Sequence, residues 1–141
     1  MTTTQNLSPV TTVTAIYEAF GRGDVPTILS MLADDVVFDD DSLPSAAQSV
    51  RHPLLSAHRG KEGVAAFFTE LGNYTFHNFQ VTDVLAGNDV VAARVIIDVA
   101  YPSGVRIRDD EMHLWRFDAD GLVTGMRHYA DTAKHLAAWE R

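Results

Sequence analysis

The chain has 141 residues, of which 46% are hydrophobic, and 19 acidic against 11 basic side chains give it a formal net charge of −8 at pH 7. This length suits one domain, over residues 1–141, whose core is large enough to enclose a cavity. The negative charge argues against a nucleic-acid surface and an anionic-membrane surface, and the absence of cysteine excludes disulfides, a thiolate nucleophile and cysteine metal sites. There is no signal-peptide pattern and no apolar run of the roughly 20 residues that a bilayer span needs. We therefore expect a soluble cytoplasmic protein, in which residues 1–7 form a flexible tail.

Two helix starts of the same kind lie in the first part of the chain. Ser8-Pro9, and later Asp24 with Pro26, each place a capping oxygen next to a proline of the first helical turn. Apolar residues then recur at helical spacing. Tyr17 is the member of the first apolar stripe with a polar tip. Its hydroxyl either finds a backbone partner in the core or, facing a cavity, donates to a ligand oxygen.

A short strand, Val36 to Phe38, runs into three consecutive aspartates at residues 39–41. Adjacent carboxylates of this kind are typical of a solvated loop. Strand alternation nevertheless sends Asp40 to the same side as Phe38. If Phe38 packs inward, Asp40 enters the interior, where burial would raise its pKa and make it a usable base or acid.

Residues 42–59 show no clear periodicity and contain scattered prolines and serines. A loop of this length in a compact domain is often functional, so we predict a lid or a loop insertion. His52 and His58 are expected to be surface histidines, because neither has a companion at metal-ligand spacing. Gly60 then opens a third helix whose inner face includes Phe67.

From Tyr74 onward, turn residues separate β-branched runs, which predicts an antiparallel meander. The predicted strands cover residues 74–85, 90–101, 105–117 and 122–130, and Asp131 can cap a last short helix. In the second strand the odd-numbered side chains are all apolar, and the even-numbered ones mix apolar residues with Arg94 and Asp98. A sheet covered on both sides, by helices and by a second subunit, fits this pattern. The fold class is α+β with helices on the concave side of a curved sheet.

The last hairpin carries the clearest functional pattern. The odd-numbered side chains of its first strand change from apolar to ionisable and then to aromatic: Val105, Ile107, Asp109, Glu111, His113, Trp115 and Phe117. The turn places His128 opposite, or diagonal to, Glu111 and His113. A carboxylate and two imidazoles beside Trp115 and Met126 are typical of the floor of a mostly apolar pocket. The alternative is a solvated face, with the even-numbered side chains buried.

These elements resemble the nuclear transport factor 2-like superfamily and, within it, the SnoaL-like polyketide cyclases and ketosteroid isomerases. The matching segments are residues 16–24, 31–38, 60–68, 113–118 and 128–131. The resemblance covers nearly the whole chain and implies a cystatin-like roll, in which the sheet forms a cone with the N-terminal helices on its concave face. It does not select one chemistry, because members include isomerases, cyclases, dehydratases, epoxide hydrolases and proteins without a known reaction.

The resemblance also implies roles for individual residues. The general base of the isomerases matches Asp40, their oxyanion-hole acid matches His113, and an acid of the cyclases and epoxide hydrolases matches His128. A strand arginine of the hydrolases matches Arg94, but Ile96 replaces the aspartate two residues further on, which counts against epoxide hydrolysis.

The resemblance further implies which side chains face the cavity. The family positions that match Ile96, Asp98, His113 and His128 face it, which leaves the odd-numbered side chains of residues 91–101 on the outer face. Family members commonly dimerise there. We therefore expect a homodimer through the outer sheet face.

The sequence thus predicts an isomerase-, cyclase- or lyase-type acid–base enzyme that uses no cofactor and no metal and acts on a small, largely apolar carbonyl or hydroxyl compound. Asp40 would abstract or relay a proton and His113 would hydrogen-bond the developing oxyanion, with His128 and Glu111 setting the charge of His113. The other predicted substrate contacts are Tyr17, Phe38, Phe67, Arg94, Ile96, Asp98, Glu111, Trp115 and Met126. Two alternatives stay open, a non-catalytic pocket for an apolar metabolite and a dimeric domain whose cone is filled by a satisfied polar network.

Overall fold

The structure is a computed structural model that describes residues 8–140. Its elements, in chain order, are α1 Pro9–Gly21, α2 Val25–Ser30, β1 Leu32–Phe38, α3 Ala46–Ser49, β2 His58–Arg59, α4 Gly60–Leu71, β3 Thr75–Ala86, β4 Val90–Ala100, β5 Arg106–Phe117, β6 Val123–Tyr129 and α5 Thr132–Trp139. α1 and α2 begin at the predicted caps, because Ser8 Oγ and Asp24 Oδ1 each accept a hydrogen bond from a first-turn backbone N–H at 3.2 Å. The tail expected at residues 1–7 lies outside the described residues.

The strands form one sheet in the order β2-β1-β6-β5-β4-β3. β3 to β6 make the predicted antiparallel meander. β1 joins it by running parallel to β6, with Phe38 paired to Met126, and β2 pairs antiparallel to β1. The sequence did not indicate α3 and β2, because elements of four and two residues are too short to show a periodicity.

The helices cover the inner face of this curved sheet. α1 packs against β3 and β4, and α4 packs against β1 and β2. The core between the two layers includes Val13 and Ile16 of α1, Val64 and Phe67 of α4, and Phe38 of β1, all of them buried. The predicted α+β class is therefore confirmed. In the part of the chain that the structure describes, no helix is long and apolar enough to cross a membrane.

The face of β4 that points to the cavity is not the one expected from the sequence. Ala93 pairs directly with His113, and directly opposed residues of two strands point to the same face. The odd-numbered side chains of β4 are therefore on the inner face. The prediction that Arg94, Ile96 and Asp98 contact the cavity is wrong, because these side chains lie on the outer face.

The two charged residues of β4, Arg94 and Asp98, form ion pairs on the outer face of the sheet. On the outer face, Arg94 donates to both carboxylate oxygens of Asp110 at 3.0 and 2.7 Å. Arg106 donates to both oxygens of Asp98 at 2.7 and 3.0 Å, and these hydrogen bonds lower the pKa of Asp98 to about 2. The charged residues of β4 thus belong to ion pairs on the outer face. The Arg94–Asp110 pair is exposed and contributes little to stability, whereas Asp98 is only 7% exposed.

The adjacent isoleucines of β4 test this orientation. Ile97→Ala should lower the free energy of unfolding by about 3 kcal/mol, because it leaves a hole among packed side chains. Ile96→Ala, on the half-buried outer face, is the matched control and should cost about 1 kcal/mol. Urea denaturation measures both, and an equal or larger loss in Ile96→Ala would contradict the assignment.

Candidate active site

The sheet and the helices enclose a cavity of about 80 Å³. Its wall is mostly aliphatic and aromatic. The polar side chains that reach it are Tyr17 of α1, Glu111 and His113 of β5, His128 of β6 and His135 of α5. The volume suits a few water molecules or part of a ring, since a dry cavity of about 150 Å³ holds benzene.

Most of the predicted site residues meet at this cavity: Tyr17, Phe38, Phe67, Glu111, His113, Trp115, Met126 and His128. The predicted hairpin register is confirmed, since His113 pairs directly with His128. Asp40 does not line the cavity. It is exposed, and its carboxylate accepts the backbone N–H of Ser42 at 2.7 Å, a hydrogen bond that lowers the pKa of Asp40.

Asp39 takes the interior position that was predicted for Asp40. It is only 2% exposed, and its backbone φ of 57° lies in the left-handed region. The strand therefore ends at Phe38, and strand alternation no longer decides which of the following side chains points inward. The prediction that Asp40 is the buried carboxylate is wrong for this reason. Aspartate adopts left-handed backbone more readily than most residues, but residues 39–41 are all aspartates, so this preference could not single out Asp39.

Asp39 and His128 form a carboxylate–imidazole dyad. Asp39 Oδ2 lies 2.7 Å from His128 Nδ1, and Asp39 Oδ1 accepts the backbone N–H of His128 at 2.8 Å. The backbone of Asp39 is fixed in turn, because its N–H donates to the carbonyl of Met126 at 2.7 Å and its carbonyl accepts from Gln48 Nε2 at 2.7 Å. Burial lowers the pKa of His128, but the charge and hydrogen bond of Asp39 outweigh burial and raise it.

The dyad leaves one nitrogen of His128 available. Because Nδ1–H donates to Asp39, the other ring nitrogen, Nε2, carries the lone pair of the neutral imidazole. No group among residues 8–140 hydrogen-bonds to Nε2, and the ring lines the cavity. Nε2 is therefore the titratable atom placed to exchange a proton with a ligand.

His113 lies beside His128, with 4.7 Å between the ring centroids, but both of its nitrogens are engaged. Nε2 is 3.1 Å from Glu111 Oε1, and Nδ1 is 2.7 Å from Tyr17 Oη. Trp115 Nε1 donates to the same Tyr17 oxygen at 3.1 Å. Since a carboxylate only accepts, a neutral His113 donates from Nε2 to Glu111 and accepts the Tyr17 proton at Nδ1. Burial keeps His113 neutral, because it lowers the pKa more than Glu111 raises it.

The polar network continues through residues that were not predicted as part of a site. Glu111 Oε2 lies 2.9 Å from His135 Nε2, and His135 Nδ1 lies 2.7 Å from Tyr101 Oη. Tyr101 also contacts His52 Nε2 at 2.8 Å. His52 was expected at the surface but is fully buried. Strand alternation alone indicated Asp109 and Glu111; His52 and His135 lie far from them in sequence, and no local pattern joins them.

Asp109, Glu111 and His135 are the residues that could hold a metal. One ligand atom from each lies within 4.8 Å of the others, and carboxylate with imidazole donors suits divalent cations. In this structure the proton on His135 Nε2 joins the two carboxylates instead, at 3.0 Å to Asp109 and 2.9 Å to Glu111. Burial lowers the pKa of His135, but these two hydrogen bonds outweigh it and raise the pKa to about 9. A cation would have to displace that proton.

A curved sheet and helices that enclose an apolar cavity with a few convergent polar groups define a small-molecule pocket fold. A family model described as the SnoaL-like domain matches residues 13–126. The chain therefore belongs to the SnoaL-like domain family, whose structural neighbours include polyketide cyclases and ketosteroid isomerases. The comparison with curated proteins found no match.

Solved structures share the fold at low sequence identity. A nuclear transport factor 2-like protein of unknown function from Burkholderia pseudomallei is 23% identical, with a TM-score of 0.77 over 94% of this chain and 98% of that one. TerC, co-crystallised with polyporic acid, is 23% identical, with a TM-score of 0.75 over 95% and 100%. The Δ5-3-ketosteroid isomerase from a Mycobacterium species is 23% identical, with a TM-score of 0.69 over 90% and 96%. At this identity the similarity shows the fold.

The dyad predicts which aspartate controls His128. In Asp39→Asn the pKa of His128 should fall, because burial then acts without the opposing charge and hydrogen bond of Asp39. Asp40→Asn is the matched control and should leave His128 unchanged. Histidine NMR titration measures both.

The direction of the His128 pKa shift also determines how His128 affects stability as the pH changes. A raised folded-state pKa means that His128 contributes stability below about pH 6.5 and loses that contribution as the pH rises through the folded pKa.

A lowered His128 pKa in Asp40→Asn, with no change in Asp39→Asn, would contradict the dyad.

Proposed function

We propose that the protein is a cofactor-independent acid–base enzyme that isomerises, cyclises or dehydrates a small, largely apolar carbonyl or hydroxyl compound. The observation that carries the proposal is the Asp39–His128 dyad, in which His128 lines the cavity and its Nε2 has no hydrogen-bond partner among residues 8–140. An imidazole held by a carboxylate can take a proton in one step and return it in the next, and such transfers contribute about 10²- to 10⁴-fold to a rate. In this proposal Asp39 takes the place that the sequence assigned to Asp40.

His128 would act as both base and acid. Asp39 holds Nδ1–H, so Nε2 is the atom that removes a proton from carbon or oxygen of the substrate. The imidazolium formed in that step is stabilised by the Asp39 carboxylate, which accepts from it at 2.7 Å. Asp39 raises the pKa of His128, which favours the protonated form that must return the proton to the substrate.

Tyr17 would serve a developing oxyanion by turning its one hydroxyl proton away from His113 Nδ1, which accepts that proton in this structure. Its hydroxyl lies at the cavity, and burial raises its pKa, so it stays protonated. Trp115 donates a hydrogen bond to the Tyr17 oxygen, and this makes the Tyr17 hydroxyl a stronger hydrogen-bond donor. His113 competes with the oxyanion for the Tyr17 proton at Nδ1, and its Nε2 is engaged with Glu111. A preorganised donor to an oxyanion is worth about 3 kcal/mol at a transition state, and for Tyr17 the loss of its hydrogen bond to His113 would be subtracted from that gain.

The size of the cavity bears on how a substrate enters. Leu54 and Leu55 of the 42–59 segment line the cavity, so movement of this segment as a lid would enlarge it. A more open groove between α1 and β3 shares Tyr17 and Phe79 with the cavity wall. We propose that the reacting end of the substrate occupies the cavity and that an apolar remainder extends along this groove.

A binding protein for an apolar metabolite is the second candidate. The observation that favours it is the small volume of the cavity together with a network in which His113 and Glu111 already have partners inside the protein. Such a protein would need the apolar wall but not the free nitrogen of His128. Affinity for a ligand would then survive in His128→Gln and be lost in Trp115→Ala.

We also propose a homodimer through the outer sheet face. The support is that half-buried apolar side chains of β4 and β5, Ile96, Met112 and Leu114, lie on this face. Tyr129 at the end of β6 adds an aromatic ring that is 52% exposed. The face differs from the one named on the sequence, because the odd-numbered side chains of β4 point inward.

Proton abstraction can be tested before the natural substrate is known. Apolar cyclic ketones and hydroxyketones, including a Δ5-3-ketosteroid, are incubated with the protein in D₂O, and exchange at carbon is followed by NMR. For a compound that exchanges, His128→Gln and Asp39→Asn should each slow exchange by about 10²- to 10⁴-fold, and Tyr17→Phe by about 10²-fold. Asp40→Asn is the control and should retain the rate.

The outcomes separate the candidates. Exchange that survives in both dyad variants contradicts the proposed roles of Asp39 and His128. Saturable binding of a compound with no exchange and no conversion favours the binding protein.

A further inference from the structure

We propose that Gln48 is a positioning residue for the Asp39–His128 dyad and makes the dyad depend on closure of the 42–59 segment over the cavity. Its side-chain amide holds the backbone of Asp39 in the conformation that directs the Asp39 carboxylate to His128. The inference rests on the proposed function, because it concerns how the proposed catalytic dyad is assembled. Gln48 acts through Asp39 and does not line the cavity.

The backbone of Asp39 needs support from outside its own strand. Its φ of 57° lies in the left-handed region, which a residue with a Cβ atom keeps only where its surroundings hold it there. The N–H of Asp39 donates to the carbonyl of Met126 on β6 at 2.7 Å. The carbonyl of Asp39 lies beyond the end of β1 at Phe38, so it requires a donor that the sheet does not supply.

Gln48 of α3 supplies that donor. Gln48 Nε2 donates to the Asp39 carbonyl at 2.7 Å, and no second donor among residues 8–140 reaches this oxygen. The same nitrogen lies 3.3 Å from the carbonyl of Asp40, which also accepts from Arg127 of β6 at 2.8 Å. Loss of the Gln48 amide would therefore leave the Asp40 carbonyl with a partner and the Asp39 carbonyl without one.

The Gln48 amide is itself fixed by the start of α3. Gln48 Oε1 accepts the N–H of Ser45 at 2.9 Å, and the N–H of Gln48 donates to Ser45 Oγ at 3.2 Å. This reciprocal pair is a capping box. Because Oε1 is committed to an N–H, Nε2 is the end of the amide that points to Asp39. Ala47 of the same helix is fully buried, which anchors α3 in the core.

The segment that carries Gln48 also covers the cavity. Leu54 and Leu55 are at most 8% exposed and line the cavity wall. They are joined to α3 through His52, whose backbone N–H donates to the helix at 2.9 Å and whose Nδ1 accepts the N–H of Leu54 at 3.2 Å. A movement that withdraws the two leucines to admit a substrate therefore carries Gln48 away from Asp39. The dyad is complete only when the segment is closed and water is excluded.

Amide hydrogen exchange of the full chain tests the inference without a substrate. The N–H of His128 donates to Asp39 Oδ1 at 2.8 Å, so its exchange rate reports on the position of the Asp39 carboxylate. Gln48→Glu keeps an acceptor for the N–H of Ser45 but loses the donor to Asp39, and the His128 amide should exchange at least about tenfold faster. Gln48→Leu, which adds no charge, should have the same effect.

Two controls separate positioning from a general loss of structure. Ser49→Ala changes the neighbouring residue of α3, whose exposed hydroxyl donates to the Ser45 carbonyl, and it should leave the exchange of the His128 amide unchanged. The N–H of Val123, on the same strand as His128, donates to the Met31 carbonyl at 3.0 Å. Its exchange rate should stay the same in every variant.

The dependence on closure has its own variant. Leu55→Ala weakens the packing of the segment against the cavity wall, and it should speed exchange of the His128 amide by at least about threefold, although Leu55 makes no hydrogen bond to the dyad. An unchanged His128 rate in this variant would overturn the link between closure and the dyad.

Two further results would overturn the role of Gln48. One is an unchanged His128 exchange rate in folded Gln48→Glu and Gln48→Leu. The other is equal acceleration of the His128 and Val123 amides, which would mean that Gln48 supports the fold as a whole.

Kinetics distinguish failure of this inference from failure of the proposed function. For a compound that is turned over, Gln48→Leu should lower kcat by about tenfold to 10²-fold through misplacement of the dyad and leave KM within about twofold. If Asp39→Asn and His128→Gln retain turnover while the Gln48 variants still accelerate His128 exchange, the positioning role stands and the chemistry assigned to the dyad is wrong.

Discussion

The interior of this protein is organised by the need to neutralise buried carboxylates. Asp39, Asp109 and Glu111 are each at most 5% exposed, and an unpaired carboxylate at such depth would be protonated or destabilise the fold. Each instead meets an imidazole, His128 for Asp39 and His135 for the other two. These pairs join the end of β1 to β6, and α5 to β5. The contacts that neutralise the buried carboxylates therefore also hold these elements together.

The carboxylates divide the polar groups into two systems that meet at one pair of rings. His128 belongs to the Asp39 dyad and has a raised pKa. His113 belongs to the Glu111 chain and has a lowered one. The rings are 4.7 Å apart, so two imidazoles with opposite pKa shifts share one wall of the cavity. Neighbouring groups whose surroundings drive their pKa values apart are how one pocket performs both acid and base chemistry at neutral pH.

The sequence was a good guide wherever a regular period operated. The helix caps, the meander and the pairing of His113 with His128 followed from spacing, because a hairpin register fixes which side chains share a face. The wrong face of β4 came from the family resemblance and not from spacing, and the other failures came where regularity stops or where chain segments meet from a distance. Asp39 replaced Asp40 because the backbone turns left-handed at the strand end. Likewise, no local pattern connects His135 with Glu111, which depends on where α5 docks after the last strand.

The polar network also bears on whether the cavity is a catalytic pocket or a filled core. A domain of this length can bury enough apolar surface to fold without charges inside it, and buried ion pairs are often neutral or unfavourable for stability compared with apolar residues of the same volume. Stability therefore does not explain why Glu111 and His135 lie next to the cavity. A satisfied network alone would fit a filled core, but His128 keeps Nε2 without a partner among residues 8–140. That atom is what an acid–base pocket needs and what a merely structural network would have paired.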